Sequence, residues 1–270
     1  MAINLSDKLT ADHSENYIMS IRLRSGGLSF SAYSPSVSES FFYRDVEFDR
    51  TRPYISSLKE CFFENDFLTW FYKQVNVVCV TSQYTLVPAA VFQEKQKAEL
   101  LAFTFSSPEG RCLSNELKDE PAELVFGVDE DVYEFCSRSL VNPRFVHHVG
   151  PLLSLWKKQS RARLPRQLYV VLHRRCYAQG NLLFVNSFEY EHTDDILYYI
   201  LYVWKQVGMD QQKDQLRLFG DVPLRNDITN TLRNYLQYID PLEIPSEAYL
   251  MGSEVLQAPL DLIALSLCEL

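Results

Sequence analysis

The chain has 270 residues, of which 47% are hydrophobic and 23% charged, a composition typical of a globular protein with one large or two smaller cores. The net charge of -9 and the isoelectric point of about 5.1 argue against attraction of the whole surface to nucleic acid or to an anionic membrane. No apolar run approaches the ~20 residues of a membrane span, and residues 1–17 lack the basic-then-apolar order of a signal peptide. These features predict a cytoplasmic protein with no membrane span and no nucleic-acid partner.

We expect residues 1–16 to form a flexible tail and residues 17–164 to form a first lobe. The lobe begins with two alternating segments around a Ser25-Gly26-Gly27 turn, which is the pattern of a β-hairpin. A third strand, a helix with Pro53 in its first turn and a buried parallel strand follow. These elements occupy residues 17–24, 28–34, 41–48, 53–62 and 75–80.

The middle of the chain differs in composition from the rest, and no segment of the second half repeats its pattern. It is acid-rich over residues 116–134 and predicts a strand, a helix and a strand at 124–128, 129–140 and 144–149. We interpret about 116–150 as a subdomain inserted in the first lobe. Residues 156–188 then contain no Asp or Glu, and Pro165 marks the boundary between the lobes.

The second lobe, residues 165–270, repeats the order of the first: a hairpin, a helix and a short hydrophobic strand. The hairpin turns at residues 179–181, and two further helices complete the lobe. The predicted elements occupy residues 168–190, 194–207, 216–219, 226–239 and 260–267. This repetition indicates an internal duplication, and a cleft between two such lobes is where ligands bind.

The cysteines predict no chemistry of their own. No two of them form a C-x-x-C pair, and several stand in apolar runs, which is typical of reduced core thiols. The six are Cys61, Cys79, Cys112, Cys136, Cys176 and Cys268.

The doubled element order resembles the plan of the actin-like ATPase superfamily. The second half, from Leu182-Leu183-Phe184 through the 194–208 helix to Leu216-Arg217-Leu218-Phe219-Gly220, resembles the actin-like proteins that assist type IV pilus assembly. The whole chain, with its ending from Pro259-Leu260-Asp261-Leu262 to residue 270, resembles an uncharacterised bacterial family of unknown function assigned to this fold. The resemblance implies an α/β protein with a duplicated RNase H-like fold, in which two lobes with mixed sheets flank a cleft.

The resemblance also implies where a nucleotide site would lie. In active members each hairpin opens with Asp-x-Gly, where Asp positions the metal and water and Gly lets backbone N–H groups approach phosphate. In this chain the first Asp falls at Arg22 and the second near Val171, and neither side chain can hold Mg²⁺. The adenosine-side glycines are reduced to Gly220. We expect one degenerate nucleotide or anion cleft, lined by Arg22, Arg24, Ser25, Gly26, Gly27, His173, Arg174, Gly220 and Asp221.

Other charged groups have two interpretations each. Arg22 and Arg24 share a strand face, and they either bind an anion or form local ion pairs. The basic residues of 156–188 either form a nucleic-acid patch or complement the acidic 116–134 segment. The acids and His192 within residues 189–195 either hold a metal or follow from the helix dipole at a helix start. For the neighbouring His147 and His148 we expect structural roles, since adjacent strand residues face opposite sides.

The sequence favours a non-catalytic scaffold or interaction module that has lost ATPase activity and binds no metal or other cofactor. Its aromatic surface would contact an unidentified protein partner, and self-association into a homo-oligomer stays open. The alternative is an ATP-binding protein or weak Mg²⁺-dependent ATPase with rearranged ligands such as Asp221, Asp194 or Asp195.

Overall fold

A computed structural model describes residues 9–108, 110–118, 120–159, 166–172, 175–176 and 185–268. The strands are β1 (Ile18–Arg24), β2 (Gly27–Tyr33), β3 (Phe42–Glu47), β4 (Gln74–Cys79), β5 (Tyr84–Pro88), β6 (Arg111–Glu116), β7 (Ala122–Val128), β8 (Arg144–His147), β9 (Gln167–Leu172), β10 (Arg175–Cys176), β11 (Phe188–Glu189), β12 (Gln215–Gly220) and β13 (Tyr238–Pro241). The α-helices are α1 (Tyr54–Glu64), α2 (Lys97–Thr104), α3 (Glu130–Ser139), α4 (Val149–Gln159), α5 (Thr193–Gln206), α6 (Val222–Leu232) and α7 (Leu260–Cys268). The chain packs as two compact units, residues 1–159 with 245–270 and residues 160–244.

The first unit is built on a five-stranded mixed sheet in the order β3-β2-β1-β4-β8. The strands β1, β2 and β3 are antiparallel neighbours, and β4 is parallel to both β1 and β8. The alternation that predicted β1 has a physical basis, because Met19 and Ile21 lie on one face and Ser20 and Arg22 on the other. All four side chains are buried, so both faces of the sheet are covered.

A second sheet in this unit differs from the predicted insertion. It is antiparallel, in the order β5-β7-β6, and a small core of Val87, Leu101 and Val125 joins it to α2. The predicted piece at 116–150 is therefore divided, because β7 lies in this small sheet while β8 extends the main sheet beside β4. The inserted strands begin at Tyr84, earlier than predicted.

The last part of the chain also departs from the predicted lobe boundary. Residues 245–270, which we assigned to the second lobe, pack on the first unit. The reason is the apolar helix α7, whose Leu262 and Leu265 pack on Val78 of β4. Tyr33 of β2 donates its hydroxyl to the carbonyl of Ser266 at 3.1 Å.

The predicted tail at residues 1–16 is in part a packed structure. Residues 11–16 form a 3-10 helix, and Leu9 before it is buried. The Ser14 hydroxyl lies 2.8 Å from the carbonyl oxygen of Phe71, which ties this segment to the unit.

The second unit has a three-stranded parallel sheet in the order β13-β12-β9, with α5 and α6 packed on one face. The order of these three parallel strands across their sheet corresponds to the order of β8, β4 and β1 in the main sheet of the first unit. The helix predicted at 226–239 is wrong in its bounds, because α6 begins at Val222, after the Asp221 cap, and ends at Leu232. Ile239 belongs instead to β13, which is parallel to β12.

Candidate functional site

Arg22 occupies the position where the resemblance puts the metal-positioning Asp, and in this chain it forms a buried ion pair. Alternation along β1 turns its side chain to the sheet face that α7 covers. The Nε atom donates to Oδ2 of Asp261, in the first turn of α7, at 2.7 Å. The two side chains are 9% and 3% exposed. The pair neutralises a charge that would be costly to bury alone.

The buried pair has a tyrosine beside it. Burial raises the pKa of Tyr43 to about 12, the charge of Asp45 adds to this, and Ser29 and Arg22 act in the opposite direction. The Tyr43 hydroxyl is therefore protonated at neutral pH.

Arg24, two residues further along β1, is paired at the surface. Its Nη2 atom lies 2.8 Å from Asp45 Oδ2 and 2.8 Å from Glu47 Oε1, both on β3. Burial lowers the pKa of Arg24, but the hydrogen bond to Glu47 and the two carboxylate charges outweigh it and raise the pKa overall. Arg24 thus forms local ion pairs, whereas Arg22 pairs with a carboxylate that is distant in sequence.

The Ser25-Gly26 turn and Gly27 serve the sheet itself. Gly27 has φ +154, and a Cβ atom there would stand 2.0 Å from the carbonyl oxygen of Val46 on β3. Glycine is required because β3 approaches β2 closely at this point. The backbone freedom of Gly27 thus serves the pairing of β2 with β3.

On the second unit, Gly220 and Asp221 have comparable structural roles. Gly220, at φ +145, ends β12 where a Cβ atom would stand 2.7 Å from Cβ of Leu172. Asp221 caps α6, since its Oδ2 atom accepts the N–H of Leu224 at 3.3 Å. Val171 is buried in β9. His173 and Arg174, the other predicted members of this site, lie outside the described residues, as do the 179–181 turn and the 182–184 segment.

Among the remaining candidate ligands, Asp195 has a role at the start of α5. Asp195 Oδ2 accepts the backbone N–H groups of Glu191 at 3.0 Å and His192 at 2.9 Å. The hydrogen bond from His192, followed by that from Glu191, lowers the pKa of Asp195. This supports the helix-start interpretation of residues 189–195. Within the described ranges, no three His, Cys, Asp or Glu side chains are grouped to hold a metal ion.

His147 and His148 do not face opposite sides as predicted, because β8 ends at His147 and their ring centroids lie 4.4 Å apart. Both are buried, with ring Nε2 of His147 3.2 Å from the carbonyl of Thr81 and ring Nδ1 of His148 3.1 Å from the carbonyl of Cys79. Lys157 lies 2.8 Å from Glu120, a contact between the basic and acidic segments of the kind we expected.

In the part of the chain that the structure describes, no helix is both long and apolar enough to cross a membrane.

Sequence reasoning missed two polar residues of structural importance. Asp261 is the partner of Arg22, and its signal was a lone charge in an otherwise apolar helix, which indicates a buried partner. Asn115 on β6 covers the edge of β8: its amide donates to the carbonyl of Phe145 at 3.0 Å and accepts the N–H of His147 at 2.8 Å. Nothing in the sequence around Asn115 indicates this role.

Comparison with known proteins identifies the class of fold and the family. A crystal structure from Bacteroides thetaiotaomicron VPI-5482, described as a protein with actin-like ATPase fold and unknown function, is 29% identical, with a TM-score of 0.80 over 96% of this chain and 99% of that chain. The protein has the actin-like ATPase fold. It belongs to the family described as "Protein of unknown function (DUF3822)", whose model matches residues 6–239. The predicted fold class and the predicted membership of a family of unknown function are thus confirmed.

Two further solved structures are similar to the chain at lower sequence identity. A PilM-PilN type IV pilus biogenesis complex is 11% identical, with a TM-score of 0.49 over 92% of this chain and 93% of that one. An exopolyphosphatase from Cytophaga hutchinsonii ATCC 33406 is 9% identical, with a TM-score of 0.38 over 94% and 89%. No curated protein matches the chain.

Proposed function

We propose that this protein is a non-catalytic member of the actin-like fold that acts as an interaction module. The observation that carries the proposal is the Arg22–Asp261 pair. Phosphoryl transfer in this fold needs a carboxylate at the end of the first strand to hold Mg²⁺ and orient water. Here that position holds a cation, and an internal carboxylate 2.7 Å away already satisfies it.

The alternative is an ATP-binding protein or weak ATPase that uses other acids. Two of the three candidate acids have structural tasks, because Asp221 caps α6 and Asp195 accepts two backbone N–H groups before α5. These hydrogen bonds hold each carboxylate at the start of its helix, so a metal ion would have to share the carboxylate with the helix N–H donors. Asp194 is exposed but stands alone, and Mg²⁺ bound by one carboxylate needs the phosphates of a bound substrate as further ligands.

The surface of the second unit offers an area for protein contacts. Tyr198 and Tyr202 on α5 are 62% and 44% exposed, and their rings stack with centroids 5.9 Å apart. Exposed tyrosines of this kind are enriched in the centres of protein interfaces. We therefore propose the outer face of α5 as the contact surface of the module.

A cytoplasmic location is part of the proposal. Cys61, Cys79 and Cys136 are buried free thiols, and burial raises the pKa of Cys136 to about 12. Unpaired thiols are typical of proteins in reducing compartments.

Thermal unfolding with and without ATP and Mg²⁺ tests the proposal. A nucleotide present at about 100 times its Kd stabilises the native state by about 2.7 kcal/mol, which raises the Tm of a domain of this size by roughly 5–10 °C. We expect no shift at millimolar ATP and no release of inorganic phosphate from the purified protein. A shift that requires Mg²⁺, or metal-dependent phosphate release, would establish the alternative instead. An unrelated ATPase treated in parallel shows that both assays work.

A further inference from the structure

The outward stripe of α5 has a symmetrical arrangement of charge and aromatic rings. Tyr198 and Tyr202 stand two residues before and two after the midpoint at Ile200. Asp194 is exposed near the beginning of the helix, and Lys205 is exposed near its end. Residues three or four apart share a helix face, so these four side chains form one stripe.

The charged side chains at the two ends of this stripe, Asp194 and Lys205, are exposed. Asp195 accepts the N–H groups before the helix, but the Asp194 carboxylate takes no part in that cap. Among the residues that the structure describes, neither Asp194 nor Lys205 has an ion-pair partner. The stripe therefore offers one acidic end, a stacked aromatic centre and one basic end, all open to solvent.

We infer that two copies of this chain associate through α5, with the two helices antiparallel. A two-fold axis level with Ile200 places Tyr198 of each copy against Tyr202 of the other. The same axis places Lys205 of each copy beside the Asp194–Asp195 end of the other. Such an isologous contact requires a surface that is complementary to itself, and this stripe meets that requirement in the order of its charges and rings. The inference rests on the proposed function, because it names the partner of the contact surface proposed there.

The size of the contact sets the strength to expect. A helix of 14 residues is about 21 Å long, so a single helix pair buries less than a standard interface. Contacts below about 1,200 Å² belong to weak, reversible association. The four tyrosine rings at the centre carry most of the affinity, and the two ion pairs at the rim fix the antiparallel orientation.

Sedimentation equilibrium of the intact chain, up to about 0.5 mM because small interfaces bind weakly, measures the association. We expect a weight-average mass that rises from 31.4 kDa toward twice that value with concentration. The Tyr198→Ala, Tyr202→Ala double variant should lower the association constant by at least about tenfold. Tyr235→Ala, which removes another tyrosine of the second unit that is 53% exposed, is the matched control and should leave it unchanged.

Charge variants test the antiparallel geometry itself. In Lys205→Glu, each new acid faces the acidic end of its partner, and in Asp194→Lys, each new base faces a lysine. Each variant alone should therefore be monomeric. Mixed in equal amounts they should form a heterodimer, because the acid introduced in the first variant then faces the base introduced in the second, while the native pair survives at the other end. Far-UV circular dichroism verifies that both variants are folded.

A wild-type chain that stays monomeric throughout the concentration range overturns the inference. So does a dimer that the tyrosine and charge variants leave intact, or a mixture of the charge variants that stays monomeric. None of these results bears on nucleotide binding. A Tm shift with ATP and Mg²⁺ would refute the non-catalytic function and leave the self-association standing, so the two failures are distinguishable.

Discussion

Removing Arg22 should destabilise the first unit far more than removing an arginine from a surface ion pair. In Arg22→Met the Asp261 carboxylate, 3% exposed in the native chain, would be left without its partner. Breaking a buried pair in this way typically costs about 3–5 kcal/mol, because the remaining charge is desolvated without compensation. Replacing both partners, as in Arg22→Met with Asp261→Leu, should recover most of that loss, since no charge is then buried.

Arg44 offers a matched control in the same unit. Its Nη1 atom lies 2.8 Å from Glu254 Oε2, a separation close to that of the buried pair. The Arg44 and Glu254 side chains are 36% and 32% exposed, so solvent screens the attraction. We expect Arg44→Met to cost about 0–1 kcal/mol. The comparison therefore separates burial from distance as the cause of the effect.

Equilibrium unfolding in urea, followed by tryptophan fluorescence, measures these differences. Trp204 lies in the second unit, so a Trp204→Phe background leaves Trp70 and Trp156 as reporters of the first unit alone. Trp156 is buried on α4, and α4 packs against α7. If Arg22→Met costs no more than Arg44→Met in this assay, the reasoning from a desolvated ion pair is refuted.

Three further predictions concern a tightly packed glycine, a covered strand edge and a helix cap. Gly27→Ala should lower the free energy of unfolding by several kcal/mol, because the new Cβ atom would lie 2.0 Å from a backbone oxygen. In Gly26→Ala the new Cβ atom makes only ordinary contacts, so the loss in the same urea assay should be under about 1 kcal/mol. Asn115→Ala should lower stability by about 1–3 kcal/mol and increase aggregation measured by light scattering, since it uncovers a strand edge. Because the pKa of Asp195 is lowered in the folded state, its stabilisation is present above the unfolded pKa and is lost as pH falls through the lowered pKa of the folded state. Asp195→Asn should flatten that acid dependence of the Tm, whereas Asp194→Asn should leave it unchanged.

Elements with a local signature could be predicted from the sequence. The β1–β2 hairpin, β4, α3, α5 and α7 follow from alternation, apolar runs, caps and terminal glycines, and the structure has each within a few residues of its predicted bounds. The strands β5 and β6 were missed because they lie in a small sheet, where several of their side chains are only half-buried and the alternation is weak.

The error at α6 has a different cause. Tyr235, Leu236 and Ile239 stand at helical spacing by coincidence, and their tertiary contacts place Ile239 in β13. The start of α6 could be predicted from Asp221 and Pro223, because the first is an N-cap residue and the second a proline in the first turn of the helix.

The candidate site could be predicted only in part. Arg22 could be singled out from the sequence, because the resemblance puts an acid at this one position of one strand. The partner of Arg22 is not, because Asp261 lies 239 residues further along the chain and nothing local links the two. Long-range pairs of this kind follow from how α7 returns to the sheet, which is a property of the whole fold.

The packing of α7 on the main sheet has a consequence for how the protein folds during its synthesis. On the ribosome, β1 is synthesised early, but the carboxylate that completes its core arrives only when residue 261 emerges. Residues 160–244, although translated later than most of the first unit, leave the exit tunnel with all their own strands and helices before that moment. The first unit therefore cannot complete its core until residue 261 is available, and Arg22 stays without its carboxylate partner until then.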